Sequence, residues 1–281
     1  MKKAVIWGAG STGKQVYDAN RNAYEFLCFV DTNPQKWGGK LEGLDVKDPE
    51  TLRTMDFDVV LLGTLMGLEE VPEVLNDMGI PTEKFDGSYA QLPIRARITF
   101  LQRFADRVYR EDTAGSVAEA GVYRGDFAQY INRFFYDRKC YLFDTFEGFT
   151  EQDAAIEKQK LPTYVKDLAG HLSGGSAEAT LARMTHKENV ILRVGRFPET
   201  AKGIDDRFVF VNLDMDLYEP TIEGLRFFYP LMLEGGVILI HDYFNKGYPN
   251  IEAAVDDFER ELGRKLHKMP IGDGISMAVL K

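Results

Sequence analysis

Cysteine and histidine are scarce in this chain, its 34 basic residues are outnumbered by 44 acidic ones, and it contains no long apolar run. Its two cysteines, Cys28 and Cys140, fall inside separate apolar stretches. That placement supplies neither a disulfide framework nor a thiolate metal site, so both read as reduced core residues of a cytoplasmic protein. The formal net charge of -10 argues against nucleic acid as the main partner, because neutralising phosphates takes clustered Lys and Arg. No segment approaches the roughly 20 apolar residues that span a bilayer, so no membrane partner is expected. Lys2 and Lys3 precede an apolar run too short for a secretory leader, and it breaks into a glycine-rich turn. The acidic balance leaves a divalent-metal site open.

What is present has the composition of an ordinary folded protein. The chain has 281 residues, 44% hydrophobic and 28% charged, enough for two domains. The stretch around which it is organised is Phe208 to Thr221, FVFVNLDMDLYEPT. An unbroken apolar run, as a buried parallel strand requires, gives way to Asp214 and Asp216. In an open α/β sheet such a change falls at the carboxyl end of a strand, where ligands bind.

The pattern predicts an α/β protein of two Rossmann-like domains, residues 1–92 and 115–281, joined by a connecting helix within 93–114. In the first domain, a strand ending at Trp7 meets Gly8, Gly10 and Gly13 in G-x-G-x-x-G register, followed by a helical pattern. One glycine serves the bend, one the close approach of a phosphate, and one the packing of helix on strand. The next strand, Phe26 to Val30, ends at Asp31, placed to hold a ribose diol. These residues resemble the small N-terminal domains of sugar-modifying enzymes, through Gly8 to Gly13 and Val30 to Pro34. The resemblance implies a second nucleotide site, with nucleotide-sugars among its ligands.

Ile98, Leu101, Ala105 and Val108 recur at helical spacing in the connector, and the strand–turn–helix logic then repeats. Val117 and Ala118 lead into Glu119, Gly121 and Gly125, and the following strand, Cys140 to Phe143, ends at Asp144. The E-x-G-x-x-x-G turn lacks the middle glycine of the dinucleotide pattern and carries an acid before its first glycine. A cationic ligand suits it better than a pyrophosphate does. With Asp144 for a ribose, this matches S-adenosylmethionine, which carries an amino group and a sulfonium but no phosphate.

Four motifs in order carry a more specific resemblance: Glu119-Ala-Gly-Val-Tyr-Arg-Gly125, Phe143-Asp-Thr-Phe-Glu-Gly-Phe149, Gly195-Arg-Phe197 with Thr200, and Leu213-Asp-Met-Asp-Leu-Tyr-Glu219. Over about residues 115–260 the chain resembles the macrocin O-methyltransferase (TylF) family, class I S-adenosylmethionine-dependent enzymes, several of which methylate sugar hydroxyls on natural products. The resemblance implies a seven-stranded sheet closed by an antiparallel C-terminal hairpin, here Lys265 to Pro270 and Ile275 to Leu280 around Gly272 and Gly274. It also marks Gly195 as a cofactor residue.

A strand from Val237 to Ile240 ends in His241 and Asp242, beside the strand that ends in Asp214. Carboxylates gathered there can bind a divalent ion that holds substrate oxygens and lowers the pKa of one of them. In the resembling family the acid at Asp214 is a metal ligand and candidate base, and two acids follow the next strand. Here His241 replaces the first of those two. Three readings stay open: Mg²⁺ on Asp214 and Asp242, a transition ion that includes His241, or a metal-free site with His241 as base. Asp216 reads as a turn or supporting residue. His171, His186 and His267 have no identifiable partner, and the polar segment from Glu147 to Asn189 reads as a lid with a helix capped by Ser176.

The expected function is thus S-adenosylmethionine-dependent O-methylation of a sugar or other polyhydroxylated small molecule, with a homo-oligomer left open. The alternatives are an NAD-dependent sugar oxidoreductase working through Gly8 to Asp31, disfavoured because no Tyr-x-x-x-Lys pair lies near, and a non-catalytic nucleotide-binding module.

Overall fold

The computed structural model describes residues 1–64, 70–160, 170, 172–245 and 247–281. The chain forms two compact units, Met1–Arg95 and Ala96–Lys281. In the first, the order is β1 (Lys2–Trp7), α1 (Ser11–Asn20), β2 (Tyr24–Val30), β3 (Lys40–Leu41), β4 (Leu44–Lys47), β5 (Val59–Leu62), α2 (Glu70–Asp77) and β6 (Phe85–Asp86). The strands make one sheet in the order β3-β4-β2-β1-β5-β6, in which only the β3–β4 pair is antiparallel. Successive strand residues point to opposite faces. Val5, Trp7, Val30 and Leu62 therefore pack with Val71 and Leu75 of α2, while Ile6, Phe29 and Leu61 pack with Val16 of α1. Coverage of both faces is why these strands read as continuous apolar runs.

Helix α3 (Ser88–Arg110) starts earlier than the connector expected from sequence and runs through Pro93, which costs it one backbone hydrogen bond. Its later turns place Leu101, Phe104, Ala105 and Val108 in the core of the second unit. That unit continues with β7 (Ser116–Ala120), α4 (Ala128–Phe134), β8 (Cys140–Asp144), α5 (Glu151–Lys160), α6 (Ala177–Arg183), β9 (Val190–Val194), β10 (Phe208–Leu213), α7 (Tyr218–Leu231), β11 (Met232–Ile240), α8 (Asn250–Leu262), β12 (His267–Pro270) and β13 (Met277–Leu280). The seven strands run in the order β12-β13-β11-β10-β7-β8-β9. Only β13 opposes the rest, being antiparallel to both β11 and β12. The expected hairpin-closed sheet is present.

One face of this sheet, with Ala118, Ala120, Phe143, Leu213 and Ile240, packs under α7 and α8. The other, with Val117, Leu142, Phe210 and Leu239, packs under α3 and α4. The alternation that sends Ala118 and Ala120 to the first face sends Glu119 to the second, and Asn212 likewise follows Phe210 there. Both cysteines are free and buried.

The apolar pattern from Thr221 on, with Gly235 and Gly236 as stops, predicts a helix running to Leu233, but α7 ends at Leu231 and Met232 already pairs with Phe208. The pairing demand of β10 ends the helix earlier than the glycines suggest. In the polar segment, Ser176 does cap α6, its Oγ accepting from the Ala179 N–H at 3.1 Å. Residues 161–169 of that segment and His171 lie outside the described residues.

Candidate functional site

The parallel register pairs Leu213 with both Ala120 and Ile240, so three strands end at one level. The Asp214 N–H donates to the Ala120 carbonyl at 2.8 Å and the His241 N–H to the Leu213 carbonyl at 2.9 Å. Asp214 and the His241–Asp242 pair therefore emerge side by side. His241 Nδ1 stands 2.8 Å from Asp214 Oδ1 and 3.1 Å from Asp242 Oδ2. It lies between the two oxygens and in line with neither, so this buried nitrogen makes close ionic contacts but no directed hydrogen bond among the described residues.

Two residues that sequence reading left out of the cluster belong to it. Asp216 offers an oxygen within 4.8 Å of the donors of Asp214, His241 and Asp242. It occupies a left-handed backbone conformation at φ +62°, as does Asp242 at +56°. Arg97, from α3, donates to Asp214 Oδ2 at 2.8 Å and Asn212 Oδ1 at 3.0 Å, with its guanidinium 4.0 Å from the centre of the Phe127 ring. Arg97 stands in helical register with Leu101, Phe104 and Val108, and a cation continuing an apolar stripe is the signal that could have found it.

The charges are strongly coupled. Burial opposes the charge on Asp214, but His241 and Arg97 hold its carboxyl well below the usual range. Burial and Arg97 oppose a charge on His241, yet Asp214 and Asp242 keep it protonated, with its pKa pushed up to about 10. Burial and the charges of Asp214 and Asp242 push the Asp216 carboxyl well above its usual range, and it shares a hydrogen bond with Asp242. A protonated imidazole is a poor general base at neutral pH, so this ion pair weighs against His241 in that role.

The glycine turn after β7 is braced by Asp144. Its Oδ2 accepts from the Val122 and Tyr123 N–H groups, both at 2.7 Å, and its Oδ1 from Phe146 N–H at 2.6 Å. A carboxylate has about four acceptor sites, so one remains for a ligand hydroxyl. Gly121 sits at φ +87°, and a Cβ there would come 2.0 Å from the Asp214 carbonyl oxygen, so no other residue fits. Gly125 also has positive φ, facing Thr180 and Met184 of the segment after β8. Gly195 lines a cavity of about 180 Å³ past the ends of β8 and β9, together with Thr145, Asp153 and Arg196. Glu119 is fully buried. Its Oε1 accepts from Asn212 Nδ2 at 2.7 Å, and its Oε2 has no partner among the described residues. Burial, reinforced by Asp214, pushes its pKa up to about 8.

The first unit repeats the brace. Asp31 Oδ2 accepts from Ala9 N–H at 2.8 Å and Lys36 Nζ at 2.7 Å, and its Oδ1 from Asn33 N–H at 2.9 Å. Gly8 and Gly13 are packed tightly: a Cβ on Gly13 would stand 1.9 Å from the Gly8 carbonyl oxygen. At Gly10 nothing lies within 4 Å of the corresponding position.

Comparison with known proteins gives concordant results. Residues 1–85 match the family model described as C2185-like, N-terminal. The 8-demethyl-8-(2,3-dimethoxy-alpha-L-rhamnosyl)-tetracenomycin-C 4'-O-methyltransferase of Streptomyces olivaceus is 29% identical over 157 residues, covering 52% of this chain and 60% of the relative. The mycinamicin III 3''-O-methyltransferase of Micromonospora griseorubida is 27% identical over 158 residues, covering 52% of this chain and 62% of the relative. The chain thus spans about three fifths of the length of these curated relatives. The fold is shared with the O-methyltransferase NovP, at TM-score 0.54 and 20% identity over 66% of this chain and 79% of that one. It is shared also with the calicheamicin methyltransferase CalS11, at TM-score 0.52 and 21% identity over 75% and 91%. Residues 90–272, well over half of the sequence, match the macrocin-O-methyltransferase (TylF) model, and the chain belongs to that family.

Proposed function

We propose that the chain is an S-adenosylmethionine-dependent O-methyltransferase whose acceptor is a hydroxyl of a sugar or glycoside. The observation that carries the reading is the meeting of Asp214 with His241 and Asp242 beyond a glycine turn braced by Asp144. Membership of the macrocin-O-methyltransferase family supports the reaction. Both curated relatives bear O-methyltransferase names, one for a dimethoxy-rhamnosyl tetracenomycin and one for mycinamicin III, which supports the acceptor class.

The residues fit the cofactor. Glu119 Oε2, buried without a partner, suits the ammonium of the methionine moiety, and the remaining lone pair of Asp144 suits a ribose hydroxyl. When bound, S-adenosylmethionine supplies an electrophilic methyl group on a sulfonium. The protein's part is chiefly to position an acceptor oxygen in line with it. A divalent ion on Asp214 and Asp242 would lower the pKa of that hydroxyl. The buried His241 nitrogen, facing both carboxylates with no directed hydrogen bond among the described residues, is the feature that fits an ion there. Arg97 fixes Asp214 by one oxygen and leaves the other directed at the site. For the first unit, the braced glycine turn and the open space at Gly10 support a nucleotide ligand, with Lys36 placed beside Asp31 to meet a phosphate.

The reading is tested by titrating the purified chain with S-adenosylhomocysteine in a calorimeter and assaying labelled methyl transfer to a panel of sugars and glycosides. Saturable binding and transfer are expected. A chain that binds no S-adenosylhomocysteine refutes the reading.

A further inference from the structure

Three donor atoms converge where β10 and β11 end. His241 Nδ1 is 2.8 Å from Asp214 Oδ1 and 3.1 Å from Asp242 Oδ2. Donors bonded at about 2.0–2.2 Å to neighbouring corners of a first-row divalent ion stand about 3 Å apart, a spacing that these two contacts match. Each carboxylate is held from behind by its other oxygen: Arg97 donates to Asp214 Oδ2 at 2.8 Å and Asn245 Nδ2 to Asp242 Oδ1 at 2.8 Å. Outer hydrogen bonds of this kind orient ligand atoms toward a metal. Nδ1 itself is buried and faces both carboxylates with no directed hydrogen bond among the described residues.

The donor set also discriminates between ions. Mg²⁺ takes oxygen ligands and keeps several waters, whereas an imidazole nitrogen favours Mn²⁺, Fe²⁺ or Zn²⁺. We propose that the cluster of Asp214, His241 and Asp242 binds a first-row transition ion in preference to Mg²⁺, with His241 Nδ1 as a direct ligand. Asp216 adds a carboxyl oxygen within reach of the same position. Ligation takes the place of the proton on Nδ1, which passes to solvent. The inference deepens the metal-assisted reading of this site and rests on that reading for its chemical use, but ion binding is measured independently of turnover.

The experiment uses the whole chain freed of metal. Mn²⁺ is added and pulsed electron paramagnetic resonance reads the bound ion, with nitrogen-14 modulation from the imidazole expected. Calorimetry then gives the Zn²⁺ to Mg²⁺ affinity ratio, which is expected to fall at least tenfold in His241→Asp. Absence of Mn²⁺ binding, bound Mn²⁺ without nitrogen coupling, or an unchanged ratio in the variant overturns the proposal. If His241→Asp does not fold, the resonance measurement on the unaltered chain decides alone. S-adenosylhomocysteine titration of the same samples separates the two readings: loss of cofactor binding with nitrogen coupling intact leaves the ion site standing and removes only the methyltransferase.

Discussion

Arg97 and Asp214 lie 117 positions apart in sequence and meet at 2.8 Å, a guanidinium from a core-packing helix against the carboxylate at the end of β10. Both side chains are largely buried, and removing the cation leaves Asp214 with His241 as its remaining counterion. Arg97→Leu is expected to lose about 2 kcal/mol of stability, measured by urea unfolding. Arg97→Lys keeps the charge but cannot reproduce the double contact with Asp214 and Asn212 and the stacking on Phe127, and should recover only part of the loss. Equal stability of the Leu variant and the parent chain would show that the pair contributes nothing.

Asp144→Ala withdraws the acceptor of three N–H groups in the glycine turn and the segment after β8. S-adenosylhomocysteine affinity should drop by at least about tenfold, or about 1.4 kcal/mol, in calorimetric titration. Asp144→Asn, which keeps one acceptor oxygen, should fall between the two.

The raised pKa of Glu119, about 8, gives a pH test with a defined sign. In the free chain the carboxyl is neutral below that value, and an ammonium ligand favours the ionised form. Cofactor affinity should therefore rise from pH 6 to about 8.5 and flatten in Glu119→Gln. Stability runs the other way. The folded pKa exceeds the ordinary 4.5, so the contribution of the neutral carboxyl is full below 4.5 and is lost as pH rises through 8. Thermal melts of Glu119→Gln should lack that slope.

Gly121→Ala places a methyl group 2.0 Å from the Asp214 carbonyl oxygen, at a backbone angle of φ +87°. The turn or the end of β10 must shift, and a loss of about 2–3 kcal/mol is expected in denaturant melts. Methyl transfer should fall further than stability, because the displaced backbone carries Asp214.

Strand ends and glycine turns were legible because the physics that makes them is local. A buried strand needs consecutive apolar residues and a tight turn needs glycine, so Phe208 to Leu213, Gly121 and Gly13 announced themselves. Asp144 and Asp31 could be placed at strand ends, but their role as braces of the preceding glycine turn could not be read, since backbone N–H groups leave no trace in sequence. Arg97 and Asn212 were missed because each acts across elements: helical register puts Arg97 on the apolar stripe of α3 but does not say which strand end it meets. Asp216 read as a turn residue because its proximity to Asp242 depends on sheet register. The early end of α7 was hidden for a related reason: the pairing of Met232 with Phe208 outweighs the glycines that follow.

The paired braces at Asp31 and Asp144 bear on how quickly a ligand is captured. A glycine-rich turn left loose would surrender conformational freedom at each encounter, at about 1–2 kcal/mol per residue fixed. Here Asp31 holds one N–H group of its turn in advance and Asp144 holds two of its own. Association should then proceed as docking onto a rigid cradle, with a rate set by encounter and orientation and with little loss of entropy in the protein on binding.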